Sequence, residues 1–440
     1  MKFIADFHLH SKYSRATSPK SDLENFDKWA KIKGIKVLGA GDFTHPEWFK
    51  ELKEKLEPAE PGLYRLKSEI RNSKFETNSK FQILNSKDET RFILTTEISC
   101  IYSKKNRVRK IHIIVFSPSF EIVEKVNAYL GCIGNLKSDG RPILGLDAKE
   151  LAKIVLNISE DCLIVPAHLM TPWFSLFGSK SGFDSLQECF EEYSKYIFAG
   201  ETGLSADPKM LWQMPDGRKI TLISNSDAHS PAKLGREANV FEGNELNYQS
   251  IINGIKRGGR TSANSVNLRL IYTLEFFPEE GKYHYDGHRP CGISLSPAES
   301  KKYNNICPNC GKPLTIGVLN RVEQLADRPE GFKPENAIPF KSLVPLEEII
   351  AEAIGRGVGT IGVDKEYKNL IEKFGNEFKV LLDVPRQDLE AVTLPEIAEG
   401  IIKVREGKVF IEPGYDGVYG KVRIFSKGEQ KNLSKQGALF

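Results

Sequence analysis

His8 and His10 stand one residue apart where the first apolar run, Ile4–Phe7, ends. Side chains alternate across a strand, so the two imidazoles project from one face, and at that spacing they can hold a single divalent ion. A merely polar strand end accounts for the pair almost as well. The chain repeats the arrangement, however: Asp42 and His45, Glu97, His112, His168 and Asp227-Ala228-His229 each follow an apolar, strand-like run. Six of the eight histidines occupy such positions, a placement that independent structural roles would not share. Several His and carboxylates converging from different elements are what a multi-ion hydrolase needs, with one carboxylate bridging the ions. Such a centre activates water for hydrolysis without a covalent intermediate.

A second set points to a structural ion. Cys307-Pro308-Asn309-Cys310-Gly311 is a CxxC knuckle, and His288-Arg289-Pro290-Cys291 repeats the spacing fifteen residues upstream. Together they predict a Cys3His zinc ribbon, with His284 competing with His288 for the fourth place. A redox role for a lone CxxC is the alternative, which the second half-site disfavours. Cys100, Cys132, Cys162 and Cys189 share no spacing and read as reduced structural thiols.

The elements that must position these groups alternate. Lys2–Phe7, Ile35–Ala40, Arg91–Ile98, Ile111–Phe116, Cys162–Pro166, Lys195–Ala199 and Lys219–Ser224 read as strands. Between them lie helical signals. Ser21-Asp22-Leu23-Glu24 reads as a capping box for a helix that Gly34 ends, Asp147 caps Ala148–Leu156, and Asn247 opens a helix closing at Gly258-Gly259. Strand–helix alternation with polar strand ends predicts an α/β barrel over residues 1–275, with Pro61–Glu89 as an insertion. Residues 276–320 carry the ribbon. Residues 321–440 are expected to form a small, mainly helical domain, with helices over Leu346–Ile354 and Tyr367–Phe374, short strands at Val409–Ile411 and Lys421–Phe425, and a loose polar tail.

Composition bounds the rest. The chain has 440 residues, 40% hydrophobic and 27% charged, with a net charge of +4. No apolar run of about 18 residues predicts a membrane span, and the N-terminus lacks signal-peptide features, so a cytoplasmic location is expected. The segment Lys104-Lys105-Asn106-Arg107-Val108-Arg109-Lys110 lies between the runs carrying Glu97 and His112. It reads either as a solvated hairpin tip or as a clamp on a phosphate backbone.

The barrel constellation resembles the PHP phosphoesterase superfamily. That resemblance implies a distorted (β/α)7 barrel with a trinuclear centre. His8, His10, Asp227 and Glu97 would bind the first ion, Glu97 would bridge to a second held by His112 and His168, and His229 with Asp42 or His45 would bind a third. Two departures stand out: Asp42-Phe43-Thr44-His45 separates residues the superfamily usually places side by side, and Ser11-Lys12-Tyr13-Ser14 lacks a histidine that some members use.

Longer motifs are more specific. They are Glu201–Pro208, Ser224–Pro231, Gly235-Arg236-Glu237-Ala238, Lys282–Arg289 and Arg321–Arg328, and together they resemble the endonuclease Q family within that superfamily. The resemblance implies cleavage of the phosphodiester 5′ to hypoxanthine, uracil, xanthine or an abasic site, with the lesion turned into a pocket. It also implies Zn2+ in the ribbon and barrel, and Mg2+ or Mn2+ for catalysis. Trp173, Phe174 and Trp212 are candidate lesion-binding aromatics, with barrel-mouth packing the equal alternative. Glu201 is a candidate catalytic carboxylate beside Glu97 and Asp227, or a loop hydrogen-bond acceptor. Gln436-Gly437-Ala438-Leu439 resembles the start of a sliding-clamp-binding peptide. A small-molecule phosphomonoesterase is the main competing activity, and a catalytically inert DNA-binding module is the third reading.

Overall fold

The computed structural model describes residues 1–73, 89–258, 267–426 and 428–429. The clamp-like peptide at 436–439 lies outside them. Nine strands frame the site: β1 Lys2–Asp6, β2 Val37–Gly39, β3 Arg91–Lys104, β4 Arg107–Ser117, β5 Leu163–Pro166, β6 Ala199–Glu201, β7 Thr221–Ile223, β8 Ala238–Gly243 and β9 Leu268–Glu275. β1 runs parallel to β2, and β2 to β3; β3, β4 and β5 then pair antiparallel in sequence. β6 and β7 form a separate parallel pair, joined to the end of β1 by a bridge between Leu9 and Ala228. On its other edge β1 pairs antiparallel with β8, and β8 with β9.

Alternation along the strands divides the apolar residues into two cores. Phe3, Ala5 and Phe7, Val37, Ile93, Ile114, Val165, Ala199, Ile223 and Phe241 meet in one cluster, with the helix Tyr248–Arg257 packed onto it. Phe7 sits edge-on to Phe116 at 5.3 Å and to Phe241 at 6.1 Å. The intervening residues, such as Ile113, Val115 and Ile164, face the helical shell. The floor of the site is therefore a dry aromatic plug. Polar side chains above it are screened little by solvent, which strengthens their mutual interactions.

Three local expectations change. Asp22, not Ser21, caps the first helix Leu23–Lys33, accepting from Asn25 N. Lys195–Ala199 is not a strand: Glu191–Tyr196 is a short 3-10 helix, and β6 begins only at Ala199, where pairing with Thr221 sets its register. β3 and β4 run well past their apolar runs into a long hairpin. The caps at Asp147 and Asn247 form as expected, and Gly34 ends the first helix at φ +90°.

Within the stretch expected as an insertion, Tyr64–Leu66 pairs with Leu56–Pro58 at the edge of the sheet. Asp286–His288 and Ile293–Leu295 form the ribbon's hairpin. Beyond it, Val318–Leu325, Leu346–Ala353, Ile361–Phe374 and Pro395–Arg405 are the longer helices, with the short Glu377–Leu382 between the last two, and Phe340–Ser342 adds a parallel strand beside β9. Phe410–Glu412 pairs with Lys421–Arg423. A buried ion pair, Lys33 with Glu377 at 2.6 Å, ties the first helix to this region. Among the described residues no helix is long and apolar enough to cross a membrane.

Candidate metal centre

The ends of β1, β2, β5, β6 and β7 open on one face, and His8, His10, Asp42, His168, Glu201, Asp227 and His229 stand there. Glu97 and His112 arrive differently, from the middle of the β3–β4 hairpin rather than a strand end. Glu97 pairs with Ile114 and Ser99 with His112, so Glu97 and His112 are diagonal neighbours on one face. The hairpin overshoots the barrel rim, which brings its middle level with the other strand ends.

Two donor sets meet on Glu97. In the first, His10 Nε2 lies 3.1 Å and His8 Nε2 3.7 Å from Asp227 Oδ1, and the same nitrogens lie 3.2 and 3.5 Å from Glu97 Oε2. His8 Nε2, His10 Nε2 and Asp227 Oδ1 are buried and lack any hydrogen-bond partner. In the second, Glu97 Oε1 lies 2.7 Å from His112 Nδ1 and 3.1 Å from His168 Nε2. These two imidazole nitrogens face each other at 3.2 Å. Buried polar atoms left unpaired cost about 1–3 kcal/mol each. Lone pairs converging from nitrogen and oxygen are what a divalent cation satisfies, so both sets fit an ion. Glu97, with one oxygen in each, is placed to bridge.

The imidazoles are held from behind. Glu201 accepts from His8 Nδ1 at 3.0 and 3.1 Å, from the His168 backbone N–H at 2.9 Å and from Asn225 Nδ2 at 2.9 Å. Asp42 accepts from His10 Nδ1 at 3.0 Å, and its second oxygen takes Ser11 N, Ser11 Oγ and Ser14 Oγ. These bonds fix which nitrogen of each ring faces inward. The expectation that Asp42 or His45 joins His229 on a third ion is not met. Asp42 is fully engaged behind His10, and His45 stacks on Tyr13 at 4.5 Å. His229 donates Nδ1–H to the Asp227 carbonyl at 2.9 Å, and its ring lies 4.7 Å from that of His10. Glu201 likewise stands as the loop acceptor weighed above, touching His8 rather than the centre itself.

Two arginines complete the site: Arg141, which carries no sequence signal, and Arg236, whose motif was noted without a role for the side chain. Arg141, after the Asp139-Gly140 turn, places Nη1 3.2 Å from Glu97 Oε2 while a quarter exposed. Arg236 donates from Nε to Ser226 O at 2.7 Å and from Nη2 to Asp227 O at 3.2 Å. Backbone strain accompanies the geometry: Asp42, His168 and Asp227 all have positive φ, at +46°, +30° and +46°. The loops approach closely. A Cβ at Gly203 would stand 2.5 Å from His168 Cβ, and one at Gly140 would stand 2.2 Å from Asp42 Oδ2.

The charges oppose burial. Burial pushes Glu97 up, but His112, His8 and Arg141 outweigh it and hold the carboxyl well below its usual range. Asp227 is likewise pushed up by burial, yet His8 and His10 hold it down. Burial disfavours charge on His8, but Glu201, Glu97 and Asp227 raise it. For His112 burial wins and presses it down to about 4.

The second predicted cluster also assembles. His288, Cys291, Cys307 and Cys310 bring their ligand atoms within 4.8 Å of one another, with His288 Nδ1 3.5 Å from Cys310 Sγ. His284 is excluded: it is buried elsewhere, pressed down to about 4 by that burial, with Asp207 nearby.

Of the aromatics, Trp173 is 38% exposed and edge-on to Tyr283 at 5.4 Å. Phe174 lies 4.8 Å from the His112 ring, and its carbonyl accepts from His112 N. Trp212 is a correction, since it is buried against Phe340 and lines a cavity away from the metal centre. Among the described residues, carboxylates neutralise two of the five cations of the basic hairpin. Lys104 pairs with Asp147 and Glu191, Lys105 with Glu188, and Arg109 is buried over Phe183, leaving Arg107 exposed. At about 3.3 Å per strand residue the tip stands roughly 20 Å beyond Glu97, so it cannot share a phosphate with the centre.

Fold and donor sets define a barrel of the PHP superfamily, and a PHP-associated family model matches residues 216–259. A second model, the MJ0043 C-terminal domain, matches residues 345–408. The lesion-specific endonuclease PfuEndoQ from Pyrococcus furiosus is 31% identical, with a TM-score of 0.81 over 98% of this chain and 99% of that one. Endonuclease Q in complex with a 27-mer duplex substrate bearing an abasic lesion at the active site matches with 31% identity and a TM-score of 0.80, over 97% and 98% of the two chains. The uncharacterized protein YqxK of Bacillus subtilis is 30% identical over 96% of this chain and 99% of its own. The uncharacterized protein MJ0043 of Methanocaldococcus jannaschii is 37% identical over 57% of this chain, which spans about a third of that protein's length (31%). The chain belongs to the endonuclease Q family.

Proposed function

We propose that this protein is a metal-dependent DNA repair endonuclease that hydrolyses the phosphodiester 5′ to a deaminated base (hypoxanthine, uracil or xanthine) or an abasic site. The observation that carries this reading is the pair of donor sets meeting on Glu97 beside Arg141, in a chain similar over nearly its whole length to endonuclease Q. His8, His10 and Asp227 would hold one divalent ion; His112 and His168 would hold another, with Glu97 shared. Such ions lower the pKa of a water and neutralise charge on phosphoryl oxygens.

The chain's own residues do the rest. Glu201 and Asp42 keep the Nε2 atoms of His8 and His10 aimed inward. Arg141 offers its remaining guanidinium N–H groups to a non-bridging phosphate oxygen, a charge-assisted contact that strengthens as charge develops. His229, its Nδ1–H held by a carbonyl, presents an unprotonated Nε2 that can accept a proton from the attacking water. Trp173 and Tyr283, joined edge to face at the mouth, supply the wedge for the unstacked base. Zn2+ suits the ribbon and the barrel's nitrogen donors, with Mg2+ or Mn2+ supporting turnover. A cytoplasmic location and contact of Gln436–Leu439 with a sliding clamp belong to the same reading; unaltered clamp affinity after removing residues 436–440 would dispose of the latter.

End-labelled duplexes carrying one hypoxanthine, one uracil, one abasic site or no lesion test the proposal. The expected result is a single nick immediately 5′ of each lesion, absent from the undamaged duplex and from Glu97→Ala, which still binds DNA. No cleavage of any duplex, with phosphate released from small monoesters, would replace it with a phosphomonoesterase.

A further inference from the structure

A cavity of about 600 Å3 opens at the end of the barrel away from the metal centre. Phe198, just before β6, and Thr221, the first residue of β7, line it; at the opposite ends of those strands Glu201 closes β6 and Asp227 follows β7. Nothing bound there can touch the reacting atoms. Its volume falls in the range of small-ligand sites, roughly 300–1,000 Å3.

The lining has a sign. It carries five cations, Lys195, Arg218, Lys219, Lys256 and Arg257, against two carboxylates, Asp216 and Glu335. Arg218 is engaged by Asp327 at 2.7 Å and Lys219 by Asp216 at 2.7 Å. Among the described residues, Lys195, Lys256 and Arg257 have no carboxylate within ion-pair distance. Lys256 is half-buried, its amine 5.1 Å over the Phe198 ring, and burial presses its pKa down although Asp161 and Glu160 lie in the neighbourhood. A partly desolvated ammonium without a counter-ion is a standing cost that an anion in the cavity would offset. Complementing the C-terminus of the helix Tyr248–Arg257 accounts for cations in its last turn. It accounts neither for the burial of Lys256 nor for the cavity.

The lining also carries apolar residues, among them Pro208, Trp212 and Ile220. An occupant therefore needs an anionic head toward the lysines and a flat, apolar body toward the tryptophan. A duplex backbone is too broad for a concave site of this size, while a mononucleotide fits it. We propose that this cavity is a second binding site, distinct from the metal centre, for a nucleotide-sized organic phosphate. Lys195, Lys256 and Arg257 hold the phosphate, and Trp212 contacts the base.

Calorimetric titration of the metal-loaded full-length protein with adenosine 5′-monophosphate tests this, with inorganic phosphate as the second probe. One mononucleotide should bind per chain, more tightly than phosphate alone. Lys256→Gln should weaken it at least about tenfold, one 1.4 kcal/mol step, at an unchanged unfolding temperature. Glu97→Gln should leave it unaltered, separating the cavity from phosphate binding at the metals. Should Lys256→Gln fold poorly, the exposed Arg257→Gln serves in its place. No binding at millimolar nucleotide, equal affinity for phosphate and nucleotide, or loss in Glu97→Gln with retention in Lys256→Gln would each overturn the proposal.

Discussion

Glu201→Gln separates holding an ion from holding the residue that holds it. Glu201 accepts four contacts from three donors, His8 and Asn225 buried and His168 partly so. Glutamine keeps the size and one accepting oxygen but turns an N–H2 toward a donor. One buried N–H is then unsatisfied, at about 1–3 kcal/mol, and a charge-assisted bond to His8 becomes a neutral one, worth roughly 1 kcal/mol less. The part of this borne by the fold is read as a lowered unfolding temperature. The part borne by the centre is read as ion affinity, where losing such an outer partner typically weakens binding 10–100-fold. Mn2+ titration of metal-free protein, paired with single-turnover nicking at low and saturating Mn2+, measures both. The expected outcome is weaker Mn2+ binding with the nicking rate largely restored by excess ion. Unchanged affinity and rate in a folded variant would refute the positioning argument. Unchanged affinity with a rate that no excess of ion restores would put Glu201 on the reacting atoms instead.

Three further outcomes are expected. Arg236→Lys cannot reproduce a fork that spans two carbonyls, so amide exchange over 224–229 should quicken and nicking should fall by roughly tenfold; unchanged exchange there would show that Arg236 holds nothing. Asp6, raised by burial from 3.8 to about 6, keeps its proton in the folded state where the unfolded chain has released it. Stability should therefore fall as pH rises from about 4 to 6, by roughly 3 kcal/mol, and stay lower above that. Urea unfolding of metal-free Asp6→Asn should lack this component, and a wild type that loses nothing relative to the variant across that window would contradict it. Replacing Cys307 and Cys310 by serine should remove one zinc per chain by metal analysis and weaken duplex binding, whereas full zinc retention would exclude the ribbon ligands.

What could be read from residue order was the part governed by local periodicity. The alternation that makes His8 and His10 neighbours is a property of one strand, and polar residues after apolar runs mark strand ends wherever they occur. The CxxC turn is equally local. Arg141 escaped because nothing in Asp139-Gly140-Arg141-Pro142 distinguishes it from any surface turn; only the close approach of Gly140 to Asp42 carries it to Glu97. Glu97 and His112 were found for a partly mistaken reason, since the hairpin runs on past both. Trp212 and the hairpin lysines look available in sequence because their partners, Phe340, Asp147, Glu188 and Glu191, lie far along the chain.

The misassignment of Asp42 shows where such reading must stop. His8–Glu201 and His10–Asp42 are chemically the same pair, a carboxylate on Nδ1 with Nε2 turned inward, yet Glu97 and Asp227 are carboxylates that face the Nε2 side. All four acids lie at or near the barrel mouth, so residue type and strand position do not separate them. What separates them is which side of an imidazole each carboxylate meets. For Asp42 that is decided by Ser11 and Ser14, which occupy the oxygen an ion would need. The serines lie in the stretch after His10 that the resemblance marks as a departure. A hydroxyl there donates to Asp42 and cannot offer an imidazole nitrogen, so the residues that depart from the superfamily pattern are the ones that turn Asp42 from a ligand into a support. Replacing Ser14 with histidine would reverse the chemistry only if Asp42 were also freed from Ser11, because one bonded serine is enough to keep the carboxylate behind His10.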